Sequence, residues 1–475
     1  MLQRWRRMND LLWAAHLKRV RLDPVLRWAP EQLAAHQERR WRAVARMAAE
    51  RAPYYRELYR GIDLERAPLR DLPPVDKAQL MDRFDEAVTD PALRLADLEA
   101  FLRTASADAT FRGRFRVLLT SGSTGRRGVI VYGHEEWIAT LAASLRGNQI
   151  LMGDRPFQNL ATLTSTHPSY ISGRLLRATD LGFPRRLTVD PEEPLEDVLP
   201  RLERFRPQVL FGYPSVIAPI AQAQTDGRVR LRPGRVIGAG EAVTPAFREA
   251  VRAAWACEVL DLYATTETGA LAVESPGGRG RYLLEDTTLV EVVDAQGRPV
   301  PDGERGHHVL ITCLDRTAQP LIRYRVSDRL VLDPPRGAGF PPFRRVRAIE
   351  GREEDALRLE NGRGREVEIH PSFLLGALLE LPGVRQAHVV QEADRIEVSL
   401  VAAGDRAADL PAAAGRWFEA LARERDLRLP PVLARVVPHL GGTRATMGKF
   451  RPVECRLPAR PPCPAAQRAP SDGGE

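Results

Sequence analysis

An α/β fold, with a large N-terminal α/β domain of layered sheets and a small α+β C-terminal domain, is what this sequence predicts. Three observations predict it. The chain has 475 residues, and one hydrophobic core rarely grows past roughly 300 residues, so a second domain is expected. From about residue 115 to 265, short apolar runs alternate with segments of helical periodicity, the pattern of parallel strands covered by helices. The texture then changes near residue 285, to paired strand-like runs, and again after Gly351, where a mixed segment begins.

Taken in order, residues 1–60 read as helices, and Glu31–Arg51 carries apolar residues at helical spacing. Pro73-Pro74 breaks the chain, and Asp76 can cap the turn Lys77–Phe84. Val117–Thr120 and Val129–Tyr132 are short apolar strands around a Gly-rich turn, followed by a helix over Glu135–Leu145. Further strands are expected at Asn159–Leu163, Val209–Phe211, Val236–Ile237 and Val259–Tyr263. Helices lie between them at Leu195–Phe205, Ser215–Gln224 and Pro245–Ala256, the last started by a Thr244 cap and Pro245. Thr288–Val293 and His308–Thr312 read as strands, and Asp333–Pro342 as a loop. The second domain is expected over 351–456, with helices Pro371–Glu380 and Pro411–Arg425 around a hairpin, Ala387–Val401. Residues 457–475 lack periodicity and read as a disordered tail. The large domain then spans 1–350.

Composition excludes several classes of function. The formal net charge is +8, but only three of the 70 basic residues are lysine and the arginines are spread along the chain. A phosphate-binding stripe would be local, so a nucleic-acid partner is not expected. No apolar run approaches the roughly 18 residues of a membrane span, and the N-terminus lacks a signal-peptide pattern, so neither a membrane partner nor export is expected. Four Cys without CxxC spacing argue against a disulfide framework and a structural zinc site. A cytoplasmic protein of open oligomeric state is the resulting expectation.

Five short segments carry chemistry. Thr120-Ser121-Gly122-Ser123-Thr124-Gly125 lies between two apolar strands. Its small residues let backbone and hydroxyl groups approach phosphate oxygens, although a plain hairpin turn would read the same way. No lysine follows in the Walker position. Asp261 to Thr268, DLYATTET, could place Thr266 on a phosphate and Glu267 on Mg²⁺, or could be a helix cap. Leu321 to Asp328, LIRYRVSD, ends in a carboxylate able to accept ribose hydroxyls. Gly351-Arg352-Glu353-Glu354-Asp355 is a charged turn at the domain boundary, and Gly441 to Arg451 presents Lys449 on a Gly-rich turn.

Together and in this order, the five resemble the motifs of the adenylate-forming superfamily: acyl-CoA synthetases, luciferases and peptide-synthetase adenylation domains. TSGSTG resembles its phosphate loop, YATTE its Tyr-Gly-x-Thr-Glu, YRVSD its ribose-binding motif, GREED its hinge and GKFR its closing lysine. Ala52–Tyr59, Leu72–Leu80, Pro207–Ser215 and Gly238–Pro245 are similar to the phenylacetate–CoA ligase branch. The resemblance covers roughly residues 50–455.

The resemblance implies an AMP-binding large domain and a mobile small domain that closes over it as a lid. It implies ATP-dependent activation of a carboxylic acid, aromatic or a biosynthetic intermediate, to an acyl-adenylate. A thiol, coenzyme A or the phosphopantetheine of an acyl carrier protein, would then take the acyl group. The implied catalytic residues are Lys449, Thr266, Glu267 and His134, with Mg²⁺ on Glu267. Nucleotide contacts are implied for Thr120 to Gly125, Gly240, Glu241, Asp261, Tyr263, Asp328 and Arg352. The acyl pocket would draw on Leu163–Gly173, Tyr213–Ile217 and Gly238–Glu241. Within it His167, Tyr170 and Tyr213 suggest an aromatic lining, and Arg174 is either a partner for a second substrate anion or a solvated side chain. Departures from the pattern are Arg126-Arg127 after the phosphate loop, Ala264 for the usual Gly and Glu354 for the hinge Asp. They leave open an alternative, a catalytically degenerate nucleotide-binding protein.

Overall fold

The computed structural model describes residues 2–106, 109–120, 128–152, 158–179, 185–334, 341–352, 355–402, 406–438, 440 and 450–458. Helices Leu2–Leu22, Pro30–Arg51 and Pro53–Leu58 open the chain. Trp41, Val44, Ala45 and Ala48 recur at helical spacing and are buried in the main core. Asp76 caps Lys77–Asp82 as expected, accepting from the Gln79 N–H at 2.9 Å.

β1 (Arg116–Leu119) and β2 (Val129–Tyr132) form a small antiparallel sheet. The helix His134–Met152 follows. Then come β3 (Leu160–Leu163), β4 (Arg186–Val189), β5 (Val209–Gly212), β6 (Arg235–Ala239) and β7 (Glu258–Thr265). These five are all parallel, in the order β4-β3-β5-β6-β7. Helices Leu195–Phe205, Pro214–Thr225 and Pro245–Trp255 join them and bury Val198, Leu202, Ile217, Ile220 and Val251 against the sheet.

Beyond β7 the alternation stops. β8 (Gly269–Ser275), β9 (Gly280–Leu283), β13 (Asp328–Asp333) and β14 (Arg345–Arg352) extend the sheet antiparallel, giving nine strands among the described residues. The reason lies at Thr265–Gly269. The sequence allowed a helix cap there, but Gly269 has φ of 73° and pairs with Thr265, so the chain turns back as a hairpin. Between β9 and β13, β10 (Thr288–Val293), β11 (His308–Cys313) and β12 (Tyr324–Val326) form a separate antiparallel sheet.

A smaller α+β unit follows. β15 (Leu357–Asn361) and β16 (Glu366–Ile369) pair, and β17 (Val384–Gln391) and β18 (Ile396–Ala402) make the expected hairpin. β19 (Leu427–Arg428) joins β15, while β20 (Val432–Val436) and β21 (Val453–Cys455) add parallel strands on either side of the hairpin. Helices Pro371–Glu380 and Leu410–Glu424 cover this unit, which has its own core around Leu374, Val389, Val398 and Phe418. Tail residues 459–475 lie outside the described residues.

One buried ion pair fixes the helix His134–Met152 beneath the sheets. The Arg146 guanidinium donates twice to Asp286, each bond 2.7 Å, with the side chains 1% and 0% exposed. Removing one partner would strand a buried charge. Arg146→Met is therefore expected to lower unfolding free energy by about 3–5 kcal/mol, read from urea denaturation. A loss of under about 1 kcal/mol, the worth of an exposed pair, would show that this bridge does not anchor the helix.

Candidate active site

The site lies where the hairpin β1–β2, the far ends of β5–β7 and the strands β12–β14 meet. Thr120 brackets the Gly-rich loop: its N–H donates to the Gly128 carbonyl at 2.9 Å and its hydroxyl accepts from the Gly128 N–H at 2.8 Å. Ser121, Gly122, Ser123, Thr124 and Gly125, together with Arg126 and Arg127, lie outside the described residues. Both edges of this hairpin are tied down. The Leu119 N–H donates to the Ser169 carbonyl at 2.8 Å, and the Gln319 amide spans the Val131 N–H and Val129 carbonyl at 2.8 and 3.1 Å. Lys77 stands at the base of the loop, and a Cβ at Gly128 would lie 3.6 Å from its Cδ. The sequence marked Lys77 only by rarity and gave it no role; its place becomes visible only in three dimensions.

Thr266 and Glu267 sit in the turn between β7 and β8. The Tyr132 hydroxyl, at the end of β2, donates to the Thr266 carbonyl at 2.7 Å. Glu267 is 9% exposed, and the Tyr324 hydroxyl reaches its Oε1 at 3.5 Å. Burial, then Glu267 and Asp76, push the Tyr324 hydroxyl well above the usual phenol range, so it remains a donor. Val75, beside the capped Lys77 turn, forms a parallel bridge with Tyr324. The carboxylate of Glu267 thus faces the same region as the base of the phosphate loop. One carboxylate there suits Mg²⁺, which takes one or two protein carboxylates and completes its shell with substrate phosphates and water.

Tyr263, Asp328 and Arg352 come together from three strands. Asp328 and Arg352 are register partners in β13 and β14, with Arg352 Nε 3.6 Å from Asp328 Oδ1. Burial, then Asp328, push the Tyr263 hydroxyl well above its ordinary value. The β7–β8 register shifts between Tyr263 and Ala264, the alanine that stands where the resemblance expects glycine. The charged turn expected from Gly351 starts later: Gly351, with φ of 106°, and Arg352 still belong to strand β14, paired with Arg329 and Asp328. Glu353 and Glu354 lie outside the described residues.

Gly240 and Glu241 follow β6. Glu241 accepts from the Ser215 N–H at 2.9 Å and from its hydroxyl at 2.8 Å. It also accepts from the Phe450 N–H, so the residue after Lys449 touches the large unit. Lys449 itself lies outside the described residues. Asp261 is buried in β7 with its carboxylate held by Arg281, and burial pushes it up to about 6 despite that guanidinium.

The expected acyl-pocket segments also converge. The Tyr213 N–H donates to the Leu163 carbonyl at 2.9 Å, and the His167 and Tyr170 rings lie 4.9 Å apart. One expectation needs correction. Arg174 is not on a solvated face: it is 4% exposed and donates to the Pro168 and Ala109 carbonyls, each at 2.8 Å, which spends its guanidinium on holding the backbone. His134 is exposed at the first position of its helix, whereas Glu136 two residues later is buried.

A family model described as "AMP-binding enzyme" matches residues 114–311. Phenylacetate-coenzyme A ligase of Aromatoleum evansii is 25% identical over 357 residues, 71% of this chain and 74% of that one. The enzyme of the same name from Thermus thermophilus is 27% identical over 405 residues, 79% of this chain and 84% of its own. The crystal structure of a 2-hydroxyisobutyryl-CoA ligase in the postadenylation state shares the fold, with a TM-score of 0.69 at 21% identity over 91% of this chain and 92% of that one. The chain thus carries an AMP-binding enzyme segment over residues 114–311 and is similar over most of its length to phenylacetate-coenzyme A ligases.

Proposed function

We propose that this enzyme activates an aromatic carboxylic acid with ATP and transfers the acyl group to coenzyme A. The acid's carboxylate oxygen bonds to the α-phosphorus of ATP, pyrophosphate leaves, and an acyl-adenylate results. The thiol sulfur then bonds to the acyl carbon, its proton is lost, and AMP leaves. The observation that carries the reading is the gathering of Tyr263, Asp328, Arg352 and Glu267 from separate segments of the chain, with the neighbouring Thr266 held by the Tyr132 hydroxyl.

Each residue has a role in this reading. The backbone and hydroxyls of the loop from Thr120 hold the phosphates. Asp328 accepts the ribose hydroxyls, Tyr263 and Glu241 border the adenosine, and Thr266 donates to a phosphate oxygen. Magnesium, held through Glu267, would screen the charge between two anionic reactants. The rings of His167, Tyr170 and Tyr213 favour a flat acid, and the names of the ligase relatives favour coenzyme A over a carrier-bound thiol.

The test is ATP–pyrophosphate exchange with a panel of aromatic and aliphatic acids, followed by mass analysis of the thiol product. Exchange that depends on an aromatic acid, and an acyl-CoA product, are expected. Nucleotide binding without exchange for any acid would show the degenerate nucleotide-binding protein instead.

A further inference from the structure

Arg316 is a charge buried without hydrogen bonds. It lies in the loop after β11, is 4% exposed, and none of its three guanidinium nitrogens has a hydrogen-bond partner among the described residues. A buried guanidinium normally spends its donors, so such a group calls for an explanation. Its surroundings supply one. The guanidinium carbon sits 3.7 Å from the centroid of the Tyr132 ring, a close cation–π stack in a desolvated place. On its other side Glu136 Oε2 is 3.9 Å from its Nε. Glu136 is itself an anchor. Its Oε1 accepts from the Thr317 N–H, the Thr317 hydroxyl and the Ala318 N–H at 2.9, 2.7 and 2.6 Å, and its Oε2 accepts from the Gly133 N–H at 3.0 Å. The stack is therefore mounted on a fixed support.

The far end of the Tyr132 ring is the hydroxyl that donates to the Thr266 carbonyl at 2.7 Å. The contacts form one chain: Glu136, Arg316, Tyr132, Thr266 and then Glu267. A cation over the ring draws electron density from the phenol and strengthens its O–H as a donor. The same stack stops the ring from tilting. Both effects fix the carbonyl of Thr266, and with it the direction in which the next side chain, Glu267, points.

We propose that Arg316 is a positioning residue that aims the Thr266–Glu267 corner through the ring of Tyr132. This rests on the function proposed above only for what the corner binds. The alternative is a plain ion-pair partner for Glu136, and lysine separates the two. Arg316→Lys keeps the charge beside Glu136 but loses the flat stack, because an ammonium is a point charge and turns toward the carboxylate. Tyr132→Phe keeps the ring and loses only the hydroxyl.

The experiment measures the affinity of Mg²⁺ with α,β-methylene ATP by calorimetry, pyrophosphate exchange, and thermal midpoints for both variants and their double. Outer partners that orient a metal ligand are typically worth roughly 10–100-fold. Each single variant should therefore weaken nucleotide affinity by about tenfold, with a midpoint close to wild type. The double should be no worse than the weaker single, because both break one relay. Wild-type affinity in Arg316→Lys, or losses that multiply in the double, would overturn the proposal. Exchange absent from the wild type for every acid, with these affinity losses still seen, would sink the proposed reaction and leave the relay standing.

Discussion

Replacing Glu267 with glutamine is expected to lower magnesium-dependent pyrophosphate exchange by at least about 100-fold without unfolding the protein, the scale of removing one fixed electrostatic group from a reacting centre. The substitution is nearly isosteric, and Gln keeps an oxygen for the Tyr324 hydroxyl that reaches Glu267 Oε1 at 3.5 Å. Only the negative charge is lost. At 9% exposure that charge is poorly screened by water, so it matters both to the protein and to a cation. A buried carboxylate with no cation partner would be a cost to the fold, and its removal would leave stability unchanged or improved. Magnesium also prefers carboxylate to the neutral amide oxygen. The diagnostic pair is therefore reduced exchange with an unchanged thermal midpoint, and partial recovery at raised magnesium. Exchange at the wild-type rate in the glutamine variant would remove Glu267 from the reaction.

Why some of this was legible in the sequence, and some not, follows from the range of each interaction. Val129–Tyr132 and Leu195–Phe205 appear within the same bounds in sequence and structure. Their apolar periods are local, and a strand or helix face is set by residues a few positions apart. Thr244-Pro245 starts its helix for the same reason, with the Thr244 hydroxyl accepting from the Phe247 N–H at 3.1 Å. The Thr-Glu turn was ambiguous because a hydroxyl followed by a carboxylate also begins helices, and the deciding feature is the backbone of Gly269. β20 and β21 escaped because each is short and gains its place from distant partners, such as Val389 opposite Val453. Among the site residues, those inside short motifs could be read by pattern. Glu136 and Arg316 could not: one acidic and one basic residue among many carry no signal until folding buries them. Arg174 shows the reverse error, a polar residue assigned to solvent whose donors are taken up by carbonyls in the interior.

Replacing Lys449 with alanine is expected to reduce adenylate formation by about two orders of magnitude or more, while thiol transfer from a supplied acyl-adenylate changes little. Phe450, the next residue, donates its N–H to Glu241, and Arg451 pairs with Asp355 just past the end of β14. The segment around Phe450 is thus tied both to Glu241, which follows β6, and to the stretch that follows β14. A lysine one residue before Phe450 has a flexible stem long enough to bring a point charge to the acid's carboxylate and the α-phosphate. There it would bring two anions together and offset the charge that builds as the new bond forms. Thiol attack on the finished adenylate makes no such demand, since one reactant is already neutral at the acyl carbon. Arginine should substitute poorly, because its planar fork needs a different approach to the two oxygens. Lys449→Arg is therefore expected to lie nearer to alanine than to wild type in exchange. If both half-reactions fell together in Lys449→Ala, the lysine would be holding the fold or the nucleotide rather than aiming the first attack. If neither fell, it would stand outside the site altogether.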